Sequence, residues 1–527
     1  MKRLRSYVEG RWHEADQGFV TLYDPSTEEA IAEVSSVGID FAAVARHARE
    51  RGRRALAEWS ISRRAECLTA MSSALHEHRE ELIDLSLKNS GATRKDAKFD
   101  LDGATFTLAH YGRLGAGLDN ALCFIDGDPI QLGRSARFSG QHVWVPLQGV
   151  AVLINAFNFP AWGFAEKTAC ALLAGMPVIV KPATSTAMIT ERCVEILVEA
   201  DILPEGVFSF VCGSTGDLLS QLGPQDVMSF TGSADTALKL KGGENLLANN
   251  TRTNIEADSL NAAVLAPSVD RGSETWGLFL RDVAREITQK SGQKCTAVRR
   301  IFVPTENVEA VQSGLIEILQ ETVTGDPRAE GVTMGPLCTK SQLEDTVRGV
   351  EELTAEATVV HGTGARVEGK GADAGTGYFF APTLLLSKDP STARRLHQRE
   401  VFGPVSTLMP YDGDAETAAD LVGRSGGTLV TSVYGNEISW LQTFIHGAGA
   451  TTGRIYIGSE KVAGMLPGSG VVMPQVQHGG PGRAGGGSEL GGERGLQFYL
   501  QRVALAGDRA LIEKVSGQRK AKAGETS

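Results

Sequence analysis

The sequence lacks any window of about 18 uninterrupted apolar residues, so no segment is long and apolar enough to cross a membrane as a helix. Its first twelve residues, MKRLRSYVEGRW, are charged and polar, so a secretory signal peptide is not expected. Cysteine is scarce and dispersed, with seven residues at positions 67, 123, 170, 193, 212, 295 and 338 and no C-x-x-C pair. Because the cysteines are scattered and their number is odd, a disulfide scaffold is excluded. The pattern predicts a reduced, cytoplasmic protein without a cysteine-rich metal site.

An excess of positive charge is also missing. The chain carries 52 Lys and Arg against 63 Asp and Glu, a net charge of −11. Because nucleic-acid binding requires a basic surface, nucleic acid is not expected as a partner. The 527 residues exceed what one ordinary hydrophobic core accommodates, so two or three domains are expected.

Several familiar catalytic motifs are absent or out of context. There is no H-E-x-x-H and no Walker A sequence, and no metal is expected. The G-x-S-x-G match at 423–427 follows a predicted helix and precedes a predicted strand, whereas a nucleophile elbow needs the reverse order. The G-x-G-x-x-G match at 480–485 neither closes a strand nor opens a helix. A serine hydrolase and a Rossmann glycine fingerprint are therefore disfavoured.

Hydrophobic periodicity predicts helices over 41–59 and 63–91 and a hairpin over 124–149. From residue 149, buried strands at 150–155, 177–181, 207–213 and 226–230 alternate with helices at 161–175, at 186–200 and from about 234. This alternation predicts a doubly wound parallel sheet, which binds ligands at the carboxyl ends of its strands. A second alternating α/β set runs from about 262 to 457. The glycine-dense stretch 478–495 predicts a loop lying close to another part of the molecule, and the tail 516–527 predicts disorder.

Cys295, in SGQKCTAVRR, is the candidate nucleophile. A lone cysteine is more often a buried, inert thiol. Polar and glycine residues at the ends of other predicted strands change that expectation, since such ends meet at one edge of a sheet. They are Asn158, Lys181, Gly232, Ser233 and Glu256 in the first α/β set, with Glu400 and Phe402 in REVFGPV of the second.

These motifs, in this order, resemble the aldehyde dehydrogenase superfamily from about residue 8 to 507. The resemblance implies a Rossmann-like cofactor domain, an α/β catalytic domain and a small β oligomerisation element. The implied cofactor domain covers 1–120 and 147–261, the catalytic domain 262–475, and the oligomerisation element 121–146 and 496–515. A homo-oligomer is expected, with a dimer favoured over a tetramer.

The family's chemistry assigns a role to each catalytic candidate. Cys295 would add to an aldehyde, and its backbone N–H with the Asn158 amide would hold the oxyanion. The alternative for Asn158 is a turn residue ahead of Pro160. Glu256 would activate the water that cleaves the thioester, with Asp258 as the rival carboxylate. The family also implies proton-relay roles at two positions, Lys167 and Glu489, whose alternative is a packing ion pair.

The resemblance also assigns the dinucleotide site. Gly232 and Ser233 open the helix expected to hold the pyrophosphate. Lys181 would hold the adenosine ribose or a 2′-phosphate, Gly213 would line the adenine side, and Glu400, with Phe402 beside it, would hold the nicotinamide ribose. Relatives that prefer NAD often place a glutamate three residues after the lysine. Here that residue is Thr184, followed by Ser185, so NADP is favoured and NAD remains possible.

The cysteine motif and the glycine-rich loop most resemble a branch that oxidises coenzyme A-linked aldehydes in aerobic aromatic breakdown. The branch includes stand-alone dehydrogenases of benzoyl-CoA epoxidation and the dehydrogenase half of the bifunctional phenylacetate ring-opening enzyme, which carries a hotdog-type hydratase domain. The chain length favours the stand-alone type. Arg483 would pair with a coenzyme A phosphate, or else the loop packs on a neighbouring subunit. The alternatives are a general medium-chain aldehyde dehydrogenase and an acyl-CoA-forming enzyme, which typically lacks the base that Glu256 supplies.

Overall fold

The structure, a computed structural model, describes residues 1–118, 123–465 and 468–516. The expected boundary at 120–121, between the cofactor domain and the oligomerisation element, lies outside the described residues. So does the expected disordered tail, apart from Ser516, which caps a helix.

The N-terminal sheet confirms the predicted doubly wound arrangement. Five parallel strands extend from one edge of the sheet through its centre, and two antiparallel strands form the other edge. The parallel strands are short, buried and rich in valine and isoleucine because helices cover both faces of the sheet. In spatial order the seven strands are Arg252–Glu256, Val227–Thr231, Ala151–Ile154, Val178–Lys181, Phe208–Phe210, Ser6–Val8 and Arg11–His13.

The predicted helix over 63–91 is two helices, which meet at His78 and end at Gly91 in a left-handed conformation. The predicted helix over 41–59 is interrupted by a π-helical turn at 48–52, where Gly52 packs directly on the backbone of Gly206. The α-helices of this half are Phe41–His47, Arg53–Glu58, Ile61–Glu77, Arg79–Ser90, Arg94–Ala116, Trp162–Ala174, Ala187–Glu199, Ala234–Lys241 and Glu244–Ala248.

The C-terminal sheet also has seven strands, and all neighbours are parallel except the first pair. The G-x-S-x-G stretch leads from a helix into a strand, as predicted. In spatial order the strands are Ala357–His361, Thr383–Ser387, Val405–Tyr411, Arg300–Pro304, Ala262–Leu265, Thr428–Tyr434 and Thr452–Gly458. The helices are Glu274–Thr288, Val308–Leu319, Lys340–Leu353, Ala415–Gly423 and Ile438–Ala448.

Three smaller sheets complete the fold. The predicted hairpin, Phe124–Gln131 with Phe138–Pro146, pairs with Leu500–Asp508 to form what we call the small sheet, which the helix Arg509–Val515 follows. A second sheet comprises Lys2–Leu4, Ala30–Val34 and Val20–Tyr23. The glycine-dense stretch contains a two-stranded hairpin, Gln477–Gly479 with Ser488–Leu490. None of the helices that the structure describes is both long and apolar enough to traverse a bilayer.

The two large sheets place the candidate residues at their junction. Lys181 and Glu256 are the last residues of parallel strands in the N-terminal sheet. Cys295 lies in the connection that leads into the strand Arg300–Pro304 of the C-terminal sheet. The carboxyl edge of one sheet therefore faces the cysteine connection of the other.

Candidate active site

The connection that carries Cys295 has an unusual backbone. Three consecutive residues before it, Lys290, Ser291 and Gly292, have φ values of 52°, 54° and 67°. Left-handed backbone is costly for the two residues with side chains, so the surrounding structure must hold it. The Arg299 guanidinium does so by donating to Gly292 O at 2.8 Å and to the carbonyl of Gly403 at 2.7 Å.

Asn261 fixes Cys295 itself. Its side-chain amide donates to Cys295 O at 2.7 Å and to Ala297 O at 2.9 Å. Its own oxygen accepts from the Val430 N–H at 3.0 Å. Asn261 thus ties the nucleophile connection to a central strand of the C-terminal sheet.

Cys295 borders a cavity of about 40 Å³ between the two sheets. That volume holds one or two water molecules, which suits the reacting end of a substrate. Asn158 borders the same cavity and is buried, and no hydrogen bond within the described residues engages its amide. Its N–H is therefore free to donate to an oxygen bound next to the sulfur.

Glu256 and His478 meet beside the thiol. The carboxylate Oε2 of Glu256 lies 3.1 Å from His478 Nε2, which lies 3.9 Å from Cys295 Sγ. The polar atoms of all three side chains lie within 4.8 Å of one another. Asp258, the rival carboxylate, lies elsewhere and accepts from the Ala234 N–H at 2.9 Å.

The three groups share one electrostatic environment. Burial alone would raise the pKa of Glu256, but the charge and hydrogen bond of His478 and the charge of Lys167 lower it below its usual range. Burial alone would lower the pKa of His478, but the Glu256 carboxylate raises it overall. Burial, and then the Glu256 charge, raise the pKa of the Cys295 thiol well above its usual value. These shifts favour a carboxylate–imidazolium pair beside a neutral thiol.

A second buried cluster adjoins the first. Lys167 Nζ lies 3.2 Å from a carboxylate oxygen of Glu166 and 3.2 Å from one of Glu489. Glu489 also accepts from Ser229 at 2.9 Å and from Asn254 at 2.6 Å. Burial would lower the pKa of Lys167, but the two carboxylates raise it, so the ammonium stays charged. Glu166 borders the cysteine cavity as well, so this cluster reaches the reaction site.

A groove of about 390 Å³ lies at the carboxyl edge of the N-terminal sheet. Three of the residues predicted to bind the cofactor, Lys181, Thr184 and Gly213, line it. Burial lowers the pKa of Lys181, and no carboxylate of the described residues pairs with its ammonium. Ser185 is not among the groove-lining residues. It hydrogen-bonds with the Cys338 thiol.

The helix Ala234–Lys241 begins at the edge of this groove. Ser233 is its N-cap and accepts from the Thr236 N–H, and Gly232 donates its N–H to Glu256 O at 3.2 Å. The Arg483 guanidinium lies 3.3 Å from the carboxylate of Asp258, which accepts a hydrogen bond from the N–H of Ala234, the first residue of the helix. Arg483 therefore lies beside the start of this helix and does not line the cysteine cavity. Its predicted contact with coenzyme A stays a prediction.

Glu400 and Phe402 lie near Arg299. One Glu400 oxygen accepts from the Ser259 N–H at 3.3 Å, and the other lies 3.7 Å from Arg299 Nε with no hydrogen-bond partner among the described residues. Burial raises the pKa of Glu400 to about 7. Phe402 packs edge-on against the ring of Phe157, 5.8 Å between centroids, and beneath the Arg299 guanidinium.

Two residues of this site were missed in the sequence. His478 begins the glycine-dense loop, and a lone histidine entering a loop expected to lie close to other groups was a usable signal. Glu166 immediately precedes Lys167, but an adjacent pair of opposite charges is common on helix surfaces. Only the tertiary structure shows that Lys167 is buried and that the Glu166 side chain is mostly shielded from solvent.

Comparison with known proteins gives a consistent result. The profile described as "Aldehyde dehydrogenase family" matches residues 12–504. The 3,4-dehydroadipyl-CoA semialdehyde dehydrogenase of Aromatoleum evansii is 44% identical over 479 residues, covering 91% of this chain and 93% of that protein. Lactaldehyde dehydrogenase from Escherichia coli superposes with a TM-score of 0.82 at 23% identity, covering 96% of this chain and 99% of that one. A betaine aldehyde dehydrogenase variant from Staphylococcus aureus, solved with NAD⁺, gives 0.81 at 23% identity and covers 96% and 97%. These two likenesses concern the fold.

Proposed function

The chain belongs to the aldehyde dehydrogenase family, and from that premise we propose that it oxidises a coenzyme A-linked semialdehyde to the carboxylic acid with NADP. The substrate we propose is 3,4-dehydroadipyl-CoA semialdehyde. The observation that carries this choice is the 44% identity, over nearly the whole of both chains, to a dehydrogenase named for that substrate.

In the proposed first half-reaction the Cys295 thiolate adds to the aldehyde carbon. The carbonyl oxygen becomes an oxyanion, which the free Asn158 amide and the Cys295 N–H would stabilise. One such donor is worth about 3–4 kcal/mol to the transition state. The burial of Asn158 in the cysteine cavity supports this role, because a donor in a water-poor site acts more strongly than one in solvent.

The residues present fit a dinucleotide. The Lys181 ammonium, partly buried and without a carboxylate partner among the described residues, suits an anionic or hydroxyl-bearing ligand in the groove. The Glu400 oxygen that has no hydrogen-bond partner among the described residues, 3.7 Å from Arg299 Nε, suits a ribose hydroxyl. These residues would hold the dinucleotide, whose nicotinamide would supply the hydride acceptor when the Cys295 thiohemiacetal becomes the thioester.

The second half-reaction is hydrolysis of that thioester. Glu256, kept ionised by His478, would take a proton from the attacking water. The cluster of Glu166, Lys167 and Glu489 extends from the same cavity and would carry that proton away. A carboxylate beside the nucleophile supports hydrolysis over transfer of the acyl group to free coenzyme A.

The choice of NADP rests on Thr184. Thr184 and Lys181 line one groove, and a neutral hydroxyl there does not repel a 2′-phosphate, as a glutamate would. NAD use at lower efficiency is compatible with this arrangement. We also propose a cytoplasmic homodimer, on the evidence of seven unpaired cysteines and the exposed apolar side chains of the small sheet.

The test compares substrates of equal acyl length. We expect the coenzyme A-linked C6 semialdehyde to exceed hexanal in kcat/KM by about a hundredfold, since two charge-assisted contacts of about 1.5–3 kcal/mol each suffice. NADPH formation should not depend on added free coenzyme A. Equal efficiency for hexanal would indicate a general medium-chain enzyme.

Two further outcomes would redirect the proposal. A requirement for free coenzyme A would indicate an acyl-CoA-forming enzyme. A higher kcat/KM for the phenylacetate-pathway semialdehyde than for the dehydroadipyl one would assign the chain to that pathway instead. Both substrates belong in the same series of assays, at matched NADP concentration.

A further inference from the structure

The hairpin formed by Gln477–Gly479 and Ser488–Leu490 delivers two chemical groups to the buried site. His478 and Glu489 are directly opposite each other in its antiparallel register. Residues opposite each other in such a pair project from the same face. One short hairpin therefore places an imidazole against Glu256 and Cys295, and a carboxylate against Lys167.

We infer that His478 is a catalytic residue: its imidazolium is the counterion of the Cys295 thiolate during attack, and of the Glu256 carboxylate in the resting enzyme. The inference rests on the proposed function, because it assigns a partner to the nucleophile of that reaction. It adds a group that the roles of Cys295, Glu256 and Asn158 do not require.

The geometry allows one imidazolium to serve both partners. Its Nε2 is 3.1 Å from the carboxylate and 3.9 Å from the sulfur. The imidazolium can therefore change partner from the carboxylate to the thiolate with little movement of the ring. The ring is buried, so solvent does not screen the charge it carries. A buried imidazolium must be paired, and the described surroundings offer these two acidic groups in contact with it.

The proposed activation transfers one proton within the three residues and needs no other proton donor or acceptor. At rest Glu256 is ionised, His478 is protonated and Cys295 is a thiol whose sulfur lies within 4.8 Å of the carboxylate oxygen and the imidazole nitrogen. On activation the S–H bond breaks, its proton moves to the carboxylate, and the electron pair stays on sulfur. The imidazolium keeps its proton and changes partner from carboxylate to thiolate. The net charge of the three groups is zero before and after.

The remaining charged groups around the ring are consistent with this exchange. Glu166 lies on the side of the Trp162–Ala174 helix, and its charge favours the protonated imidazole. Arg454, on the strand Thr452–Gly458, opposes protonation. Behind Glu166, Lys167 and Glu489 are already paired. After hydride transfer, the proton on Glu256 must leave before hydrolysis. Glu166 borders the same cavity as Glu256 and would accept that proton next.

The experiment measures the reactivity of the sulfur without substrate or cofactor. The second-order rate of Cys295 alkylation by iodoacetamide is followed from pH 5.5 to 9.5, with the modified peptide identified by mass spectrometry. We expect His478→Gln to lower the rate at pH 7 by about tenfold or more and to move the profile upward by about one pH unit, because a unit of pKa is a tenfold change in thiolate. A profile that superposes on wild type overturns the inference.

Controls separate charge from structure. His361→Gln, at the end of the edge strand Ala357–His361, should leave the profile unchanged, and Cys295→Ala should abolish the labelled peptide. His478→Ala should recover reactivity when imidazole is added, with a pH dependence that follows imidazole protonation. Absence of recovery in a variant that keeps the wild-type Tm also counts against the inference. Because alkylation needs no aldehyde, its outcome is independent of whether the coenzyme A-linked substrate is correct.

Discussion

The Lys181 ammonium is partly buried and lacks a carboxylate partner among the described residues, and Thr184 lines the same groove. Burying a charge is costly unless a ligand or side chain compensates it. The arrangement is reasonable if an anionic ligand completes it. At the scale of single residues, cofactor choice should therefore depend on whether position 184 adds a negative charge.

Thr184→Glu should convert a preference for NADP into a preference for NAD. A charge clash in a partly screened site is worth about 1–3 kcal/mol, or roughly ten- to a hundredfold in the ratio of kcat/KM values. The measurement is kcat/KM for each dinucleotide with one aldehyde at saturation. Thr184→Gln supplies the matched control, because it has the size of glutamate without its charge and should shift the ratio by much less. A wild-type enzyme that already prefers NAD tenfold would show that the role assigned to Thr184 is wrong.

At the scale of elements, the hairpin that carries His478 and Glu489 is fastened to the strand that carries Glu256. Gly487 donates its N–H to Ile255 O at 3.0 Å, and Ala257 donates to Ala484 O at 3.1 Å. These bonds fix the distance between the hairpin residues and the base. A small displacement of the loop should therefore impair catalysis more than folding.

Two neighbouring glycines test this. Both Gly485 and Gly486 have positive φ, 109° and 78°, so either substitution by alanine strains the backbone. A Cβ on Gly485 would lie 2.2 Å from Ile255 O, whereas one on Gly486 meets nothing within 4 Å. We expect Gly485→Ala to lower kcat by about tenfold or more, since a 1 Å misplacement can cost a hundredfold. Gly486→Ala should stay within about threefold of wild type, with Tm measured for both. Equal losses in the two variants would show that the contact with Ile255 does not position the site.

The parts of the fold that the sequence predicted were those with local signals. The runs VAVLIN and PVIVK read as buried parallel strands because they are continuously apolar, and the observed strands are Ala151–Ile154 and Val178–Lys181. The strands Ser6–Val8 and Arg11–His13 were missed because three residues of mixed polarity give no periodicity. The break at His78 was missed because apolar spacing continues through it.

The residues of the candidate site also differ in whether a local sequence signal indicates them. Cys295, Glu256 and Asn158 were found because each follows or precedes a recognisable strand in a recognisable order. His478 was missed because its importance is its 3.1 Å contact with Glu256, more than 200 positions away in the chain, which no local pattern encodes. Arg483 was assigned to a coenzyme A phosphate because it is the cation of a glycine-rich loop that can approach a ligand closely. In the structure its guanidinium pairs with Asp258, and the assignment stays a prediction.

At the scale of the whole molecule, the small sheet carries an unusual number of exposed apolar side chains. Ile130 and Phe138 are about half exposed, and Leu511 and Val515 of the following helix are more exposed still. The strand Phe124–Gln131 is also a free edge of that sheet. Exposed apolar groups beside an open edge are typical of a subunit interface.

Ile130→Asp should therefore dissociate the expected dimer, because it places a charge on that exposed apolar surface. The molar mass in solution, measured by light scattering, should fall to that of one 56.0 kDa chain. Ile438→Asp is the matched control: Ile438 is also an exposed isoleucine, but it lies on a helix of the C-terminal half. A dimer that persists in Ile130→Asp, or a monomeric wild type, would contradict the assignment of the small sheet.

We propose that Cys295 carries the coenzyme A-linked acyl group as a thioester, which Glu256 then allows water to cleave. Glu256→Gln removes, at nearly constant size, both the acceptor of the thiol proton and the base for hydrolysis. The thiolate then forms more slowly, by proton loss to solvent, and the thioester should accumulate until one NADPH has formed per site. The decisive measurement is the mass of that variant after mixing with NADP and the coenzyme A-linked semialdehyde. We expect an increase equal to the substrate mass less two hydrogens on the peptide that contains Cys295. The increase should be absent when Cys295→Ala is added. An unmodified protein despite NADPH formation, or an adduct on another residue, would contradict it.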